Sequence, residues 1–147
     1  MFFVNDRFDL AVALRADGLH LGQDDLPIAV VRKELLRAGI KMWIGKSTHE
    51  IQQSLDAQKE GADYIGVGPV FETPTKPGVA STGLRFVREA SARVKIPMVM
   101  IGGIDLSNLS TVLRAGARRI AVVRALFAKE DSYEAARKIR EKIENFK

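Results

Sequence analysis

Short apolar runs alternate with longer amphipathic stretches along the whole chain, and this alternation restricts the possible folds more than any other feature. The runs are Phe2–Val4, Leu19–Gly22, Met42–Gly45, Tyr64–Gly68, Met98–Ile101 and Ile120–Val123. Each has strand length and is nearly continuous in apolar residues, as expected of strands buried on both faces of a parallel sheet. Helical periodicity fills the intervals 9–15, 27–38, 49–60, 84–93, 107–115 and 132–145. Pro27, Thr48 and Asp105 or Ser107 near Asn108 mark helix starts; Gly18, Gly39, Gly61 and Gly116 mark stops. Ala16-Asp17-Gly18, Gly61-Ala62-Asp63 and Gly116-Ala117-Arg118 make the same helix-to-strand join three times. Strand–helix units in series imply right-handed crossovers and a parallel sheet.

With 147 residues and no linker or low-complexity stretch, the chain reads as a single domain over 1–147. No apolar run approaches the roughly 18 residues of a membrane span. The opening Met1-Phe2-Phe3-Val4-Asn5-Asp6 has neither a basic region nor a small-residue cleavage site, so no secretory signal is expected. The absence of cysteine excludes disulfides, thiolate metal sites and cysteine nucleophiles. A cytoplasmic protein is the expectation. The net charge of +5 is spread along helices, as at Arg32, Lys33 and Arg37, without basic blocks or interleaved aromatic residues. Nucleic acid is therefore not an expected partner, and a few cations are left for small anions.

Two architectures use this alternation, the doubly wound open sheet and the closed barrel. An open sheet binds ligands at one switch point, so few strand ends carry functional residues. A barrel gathers all its carboxyl-side strand ends around one mouth. Here every strand runs into polar or glycine-rich sequence: Asn5-Asp6, Gln23-Asp24-Asp25, Lys46-Ser47-Thr48-His49, Glu72-Thr73-Pro74-Thr75-Lys76, Gly102-Gly103 and Arg124. This favours an α/β barrel of the TIM type, with six of its eight β/α units in this chain. Two uncovered strand edges would then call for a homo-oligomer or a partner chain.

Asp6 and Asp25 follow the first two strands and suit Mg2+, which takes oxygen ligands from one or two carboxylates plus substrate phosphates. The competing role for Asp6 or Asp24 is a helix cap, Asp24 being the better placed. Thr73-Pro74-Thr75-Lys76 lies in a long, proline-restricted loop whose hydroxyls and ammonium suit an oxyanion. Gly102-Gly103 between strand and helix lets backbone N–H groups approach an anion. If the last two strands are the barrel's seventh and eighth, Gly103, Val123 and Arg124 line a phosphate site. His49 is open to proton transfer or to capping. Gly66-Val67-Gly68 is no dinucleotide fingerprint, because it leads to Pro69 and not to a helix. Trp43 and Phe71 read as core.

Val4-Asn5-Asp6-Arg7, Gly18-Leu19-His20-Leu21-Gly22-Gln23-Asp24-Asp25-Leu26-Pro27, Tyr64 to Phe71, Thr73-Pro74-Thr75-Lys76 and Ile101-Gly102-Gly103-Ile104 closely resemble thiamine phosphate synthases. The resemblance runs in order over essentially the whole chain. It implies a magnesium-dependent transferase of thiamine biosynthesis that joins hydroxymethylpyrimidine diphosphate to thiazole phosphate, releasing pyrophosphate. It assigns magnesium to Asp6 and Asp25, and the pyrimidine substrate or its leaving group to Asn5, Ser47 and Lys76, with Ser47 and Lys76 catalytic. Thr73, Pro74 and Thr75, with Gly103, Val123 and Arg124, would hold the thiazole phosphate. Two departures stand out. The family's first two strand–helix units, with a Gln-x-Arg-x-Lys motif, are not in this sequence. Arg124 replaces a small hydroxyl residue and either adds a phosphate contact or crowds the pocket. A related thiazole tautomerase using His49, or a non-catalytic phosphate-binding remnant, are the alternatives.

Overall fold

The computed structural model describes residues 1–75 and 78–146. Its strands are β1 (Phe3–Asn5), β2 (Gly18–Leu21), β3 (Trp43–Thr48), β4 (Tyr64–Val67), β5 (Met98–Ile101) and β6 (Ile120–Ala121). The helices are α1 (Phe8–Ala13), α2 (Ile28–Ala38), α3 (Ile51–Lys59), α4 (Gly83–Arg93), α5 (Leu109–Arg114), α6 (Arg124–Phe127) and α7 (Ser132–Glu144). The strands follow one another in the order β1-β2-β3-β4-β5-β6, and the pairs β1·β2, β2·β3 and β5·β6 are parallel. Each expected element is present. The four-residue α6 falls outside the expected helices, being too short to show a period. Among the described residues no helix is long and apolar enough to cross a membrane. The chain forms two compact units: Met1–Gly66 with Val94–Pro97, and Val67–Arg93 with Met98–Lys147.

In the first unit the sheet has two unlike faces. The register places Phe3 opposite Gly18 and Gly18 opposite Trp43, then Asn5 opposite His20 and His20 opposite Gly45. Successive strand residues point to opposite faces. One face therefore carries Leu19, Leu21, Ile44 and Ile65, fully buried together with helix residues Ala11, Ile28 and Val31. Each such leucine or isoleucine contributes about 1.5–3 kcal/mol by burial. The other face carries Phe3, Gly18, His20, Trp43, Gly45, Ser47 and Tyr64. A Cβ on Gly18 would stand 2.0 Å from the Phe3 ring, and one on Gly45 would stand 2.2 Å from Tyr64. The helix-facing side is apolar apart from Lys46, whereas the other face mixes aromatic residues with polar ones and with the buried glycines Gly18 and Gly45. Trp43 is half exposed, not core.

Local signals resolve in a similar way. Gly39, at φ 67°, caps α2 in the left-handed conformation that glycine adopts without steric cost. Gly18 is not a helix stop but the first residue of β2; the left-handed residue after α1 is Arg15. Thr48 is not a cap either. It ends β3, fully buried, and its hydroxyl donates to the Gly66 carbonyl (2.8 Å) while accepting from Ser54 Oγ (3.0 Å). Arg32 ties the far end of the strands: its guanidinium donates to the carbonyls of Met42 and Gly61 and to Asp63. Asp63 also accepts from the Ile44 N–H at 2.6 Å.

The second unit buries Val70, Phe86, Val87, Ala90, Met100, Leu109, Val112, Leu113 and Ile139. Helix α7 begins at Asp131, whose side chain accepts from the Glu134 N–H at 2.8 Å. Its outer face is laced by Glu134, Arg137 and Glu141, exposed pairs that add little stability each.

Candidate functional site

The candidate side chains of the first unit lie at the carboxyl-side ends of β1, β2 and β3. Asn5 ends β1. Asp6 follows it at φ 65°, a left-handed conformation that aspartate tolerates better than most residues. Its N–H donates to the His20 carbonyl at 2.8 Å, fixing the chain where it leaves the strand. The β2–α2 loop is held from two sides. Gly22 N–H donates to Asp25 Oδ2 at 2.6 Å, and the buried Lys46 ammonium donates to the Gly22 carbonyl at 2.6 Å. Gln23 Nε2 donates to the Ser47 carbonyl at 2.5 Å. Asp25 is therefore a loop-organising residue with its carboxylate fixed. Asp24 is no cap, since α2 starts after Pro27 without a side-chain cap bond.

Ser47 lies beside a group that sequence reasoning did not single out. His20 Nε2 is 2.9 Å from Ser47 Oγ, and His20 Nδ1 is 2.9 Å from the Tyr64 hydroxyl. The His20 and Tyr64 rings pack at 5.5 Å, and Phe3 meets Tyr64 edge-on at 5.8 Å. Burial pushes the Tyr64 phenol up to about 12. His20, Tyr64, Lys46 and Gln23 sit inside apolar runs or between louder motifs. The signal that marks His20 and Ser47 is the period-two pattern Gly18/His20 against Leu19/Leu21, repeated as Gly45/Ser47 against Ile44/Lys46. Lys46 belongs to the helix-facing side, away from the face of Ser47. His49 is exposed, with its N–H donating to Gln53 Oε1 at 2.8 Å, a local bond at the start of α3.

The second unit builds its candidate site mainly from backbone. Gly102 and Gly103 have φ 98° and 63°. A Cβ on Gly102 would lie 2.4 Å from Pro69 Cβ, and one on Gly103 would lie 2.7 Å from the Glu72 carbonyl and Phe71 Cβ. Val70 and Phe71 N–H groups donate to the carbonyls of Ile101 and Gly102 at 2.9 and 3.1 Å, which fixes the start of the following loop. The Gly103 carbonyl accepts from Asn108 Nδ2 at 2.8 Å, and Asn108 Oδ1 accepts from the Asp105 N–H at 3.0 Å. A hydrogen bond from the Ser107 hydroxyl, more than its backbone bonds, lowers the Asp105 carboxyl. Thr73 is half-buried and accepts from the Thr75 N–H at 3.3 Å, while Pro74 and Thr75 are exposed. Lys76 lies outside the described residues. Val123 and Arg124 are exposed at the entry to α6, just beyond Ala121, which pairs with Ile101.

The thiamine monophosphate synthase family profile matches residues 1–126. The chain belongs to that family. A thiamine-phosphate synthase of Thermus thermophilus is 52% identical over 143 residues, covering 97% of this chain and 67% of the relative. One from Synechococcus sp. strain CC9311 is 49% identical over 137 residues, covering 93% of this chain but 38% of the relative. The chain thus spans well under half of some curated relatives and about two thirds of others. The solved thiamine phosphate pyrophosphorylase of Pyrococcus furiosus superposes with a TM-score of 0.87 at 39% identity, over 99% of this chain and 68% of that one. The fold is accordingly α/β of the TIM type, with six of the units present.

Proposed function

We propose that this chain carries out, alone or with a further segment, the synthase reaction of thiamine biosynthesis. Hydroxymethylpyrimidine diphosphate loses pyrophosphate, and the ring nitrogen of thiazole phosphate attacks the resulting carbon to give thiamine monophosphate. The observation that carries the proposal is the family match over residues 1–126, with the acids Asp6 and Asp25 retained after the adjacent, paired strands β1 and β2.

In this reading Asp6 and Asp25 hold Mg2+. The donor set fits: both are oxygen ligands, and Asp25 is held by Oδ2 on the Gly22 N–H, which leaves Oδ1 as the oxygen offered to a cation. A magnesium ion commonly takes one or two carboxylates and completes its shell with water and phosphate oxygens. Bound there, the ion supplies charge to stabilise a diphosphate. Ser47 and Lys76 act on the departing pyrophosphate, and Asn5 on the pyrimidine. Preorganised donors of this kind favour the state in which negative charge develops. Thr73, Thr75, Gly103, Val123 and Arg124 hold the thiazole phosphate, Gly103 through its N–H group and Arg124 through its guanidinium. The reading also places the protein in the cytoplasm, and has the outer edges of β1 and β6, which end the strand order, paired by another chain or segment.

Incubation with both substrates and magnesium, followed by chromatography for thiamine monophosphate, tests the reading. Product is expected with, and to a lesser extent without, an added segment bearing Gln-x-Arg-x-Lys. No product in either case overturns it.

A further inference from the structure

Three side chains of the first unit form an unbroken chain of hydrogen-bonding atoms: Tyr64 hydroxyl, His20 Nδ1, His20 Nε2 and Ser47 Oγ, with 2.9 Å at each of the two junctions. A neutral imidazole has one donor and one acceptor nitrogen, so the partner of one nitrogen fixes the role of the other. The partner here is a phenol. Burial raises its pKa to about 12, so it keeps its proton throughout the physiological range. Among the described residues Tyr64 has no other hydrogen-bonding partner than His20. A part-buried hydroxyl hydrogen without an acceptor is costly, so the phenol keeps its proton and donates the hydrogen bond to Nδ1. The hydrogen on the ring then sits on Nε2 and points at Ser47 Oγ.

The arrangement is held by shape as well. Gly45 leaves the space that the Tyr64 ring occupies, a Cβ there falling 2.5 Å from the phenol oxygen. Gly66 approaches His20 Cε1 to 3.4 Å from where its own Cβ would be. Phe3 and Tyr64 pack nearly perpendicular at 5.8 Å. The chain therefore has little room to reorient.

Since Ser47 Oγ accepts from Nε2–H, its own proton cannot turn back toward His20. We infer that His20 and Tyr64 are positioning residues that force the Ser47 hydroxyl to act as a hydrogen-bond donor toward an anionic oxygen of the substrate. The opposite tautomer would draw the Ser47 proton onto Nε2 and present only lone pairs to the anion. The inference deepens the reading above, since a leaving pyrophosphate needs donors, but the tautomer itself does not depend on that reading.

The chain contains two histidines, so nitrogen NMR of the histidine-labelled full chain resolves both, with His49→Gln assigning them. A fixed Nε2–H form of His20 is expected, lost in Tyr64→Phe. A fixed Nδ1–H form, or averaging between tautomers in the wild type, overturns the inference. Should Tyr64→Phe fail to fold, the wild-type spectrum decides by itself. Calorimetry with inorganic pyrophosphate and magnesium gives a second readout. Ser47→Ala and Tyr64→Phe are each expected to weaken binding, Ser47→Ala by roughly tenfold, and the double variant by no more than Ser47→Ala. Additive losses would show that Tyr64 does not act through Ser47. Wild-type protein that binds no pyrophosphate would count against the proposed function, while the spectrum would still judge the tautomer.

Discussion

In the proposed reading the two units would meet anions by different means. The first uses side chains that have already settled their partners: Asp25 on Gly22 N–H, Lys46 on the Gly22 carbonyl, Gln23 on the Ser47 carbonyl, His20 on Ser47. The second uses the main chain, with Gly102 and Gly103 turned into positive φ and the Gly103 carbonyl tied back by Asn108. Side chains can be changed one at a time with the backbone left in place. A backbone site has no such separability, because its binding groups are also the fold.

The largest effect is expected at Gly103. Gly103→Ala places a Cβ 2.7 Å from a carbonyl and a neighbouring Cβ at φ 63°, and should lower stability by about 2–4 kcal/mol, read as a drop in the urea midpoint. An unchanged midpoint would mean that the second unit's site is not part of its architecture. Asp25→Asn should do the reverse. Loss of one carboxylate charge weakens magnesium-dependent pyrophosphate binding roughly thirtyfold, with the urea midpoint nearly unchanged, since an amide oxygen still accepts from Gly22. Thr48→Val sharpens the contrast inside the first unit. It deprives the Gly66 carbonyl of a buried donor and should cost about 1–2 kcal/mol without touching pyrophosphate affinity.

The smallest effect concerns pH. Tyr64 ionises near 12 in the folded protein, above the ordinary value of 10.0, so the folded state holds its proton where the unfolded chain releases it. That contribution is complete below pH 10 and fades as pH rises to 12. Denaturation of wild type and Tyr64→Phe at stepped alkaline pH should therefore show the wild type losing more stability across that window. Parallel curves would mean that the phenol is not protected.

The fold was legible because alternation of apolar runs and helical periods survives every local uncertainty; Met98–Ile101 was placed without error. The misreadings share one cause. Gly18 and Thr48 look like helix punctuation in the sequence, whereas Gly18 makes room for Phe3 and Thr48 bonds a neighbouring strand. Both roles depend on contacts distant in sequence, which composition alone does not report. For the same reason Asp25 was visible as an acid after a strand, while His20, inside an apolar run, was visible only through its alternation with Leu19 and Leu21. Lys46 stands in sequence among strand-end polar residues, yet it is buried on the helix side, where its ammonium reaches a carbonyl across the loop.

The glycine sockets on the first unit's polar face bear on how such a sequence can drift. Gly45 and Tyr64 share one volume, as Gly18 and Phe3 do. A larger residue at 45 is compatible only with a smaller one at 64, and that exchange would remove the phenol from His20. Substitutions at these paired positions must therefore travel together, and a change of bulk in one strand is felt as a change of hydrogen bonding two strands away.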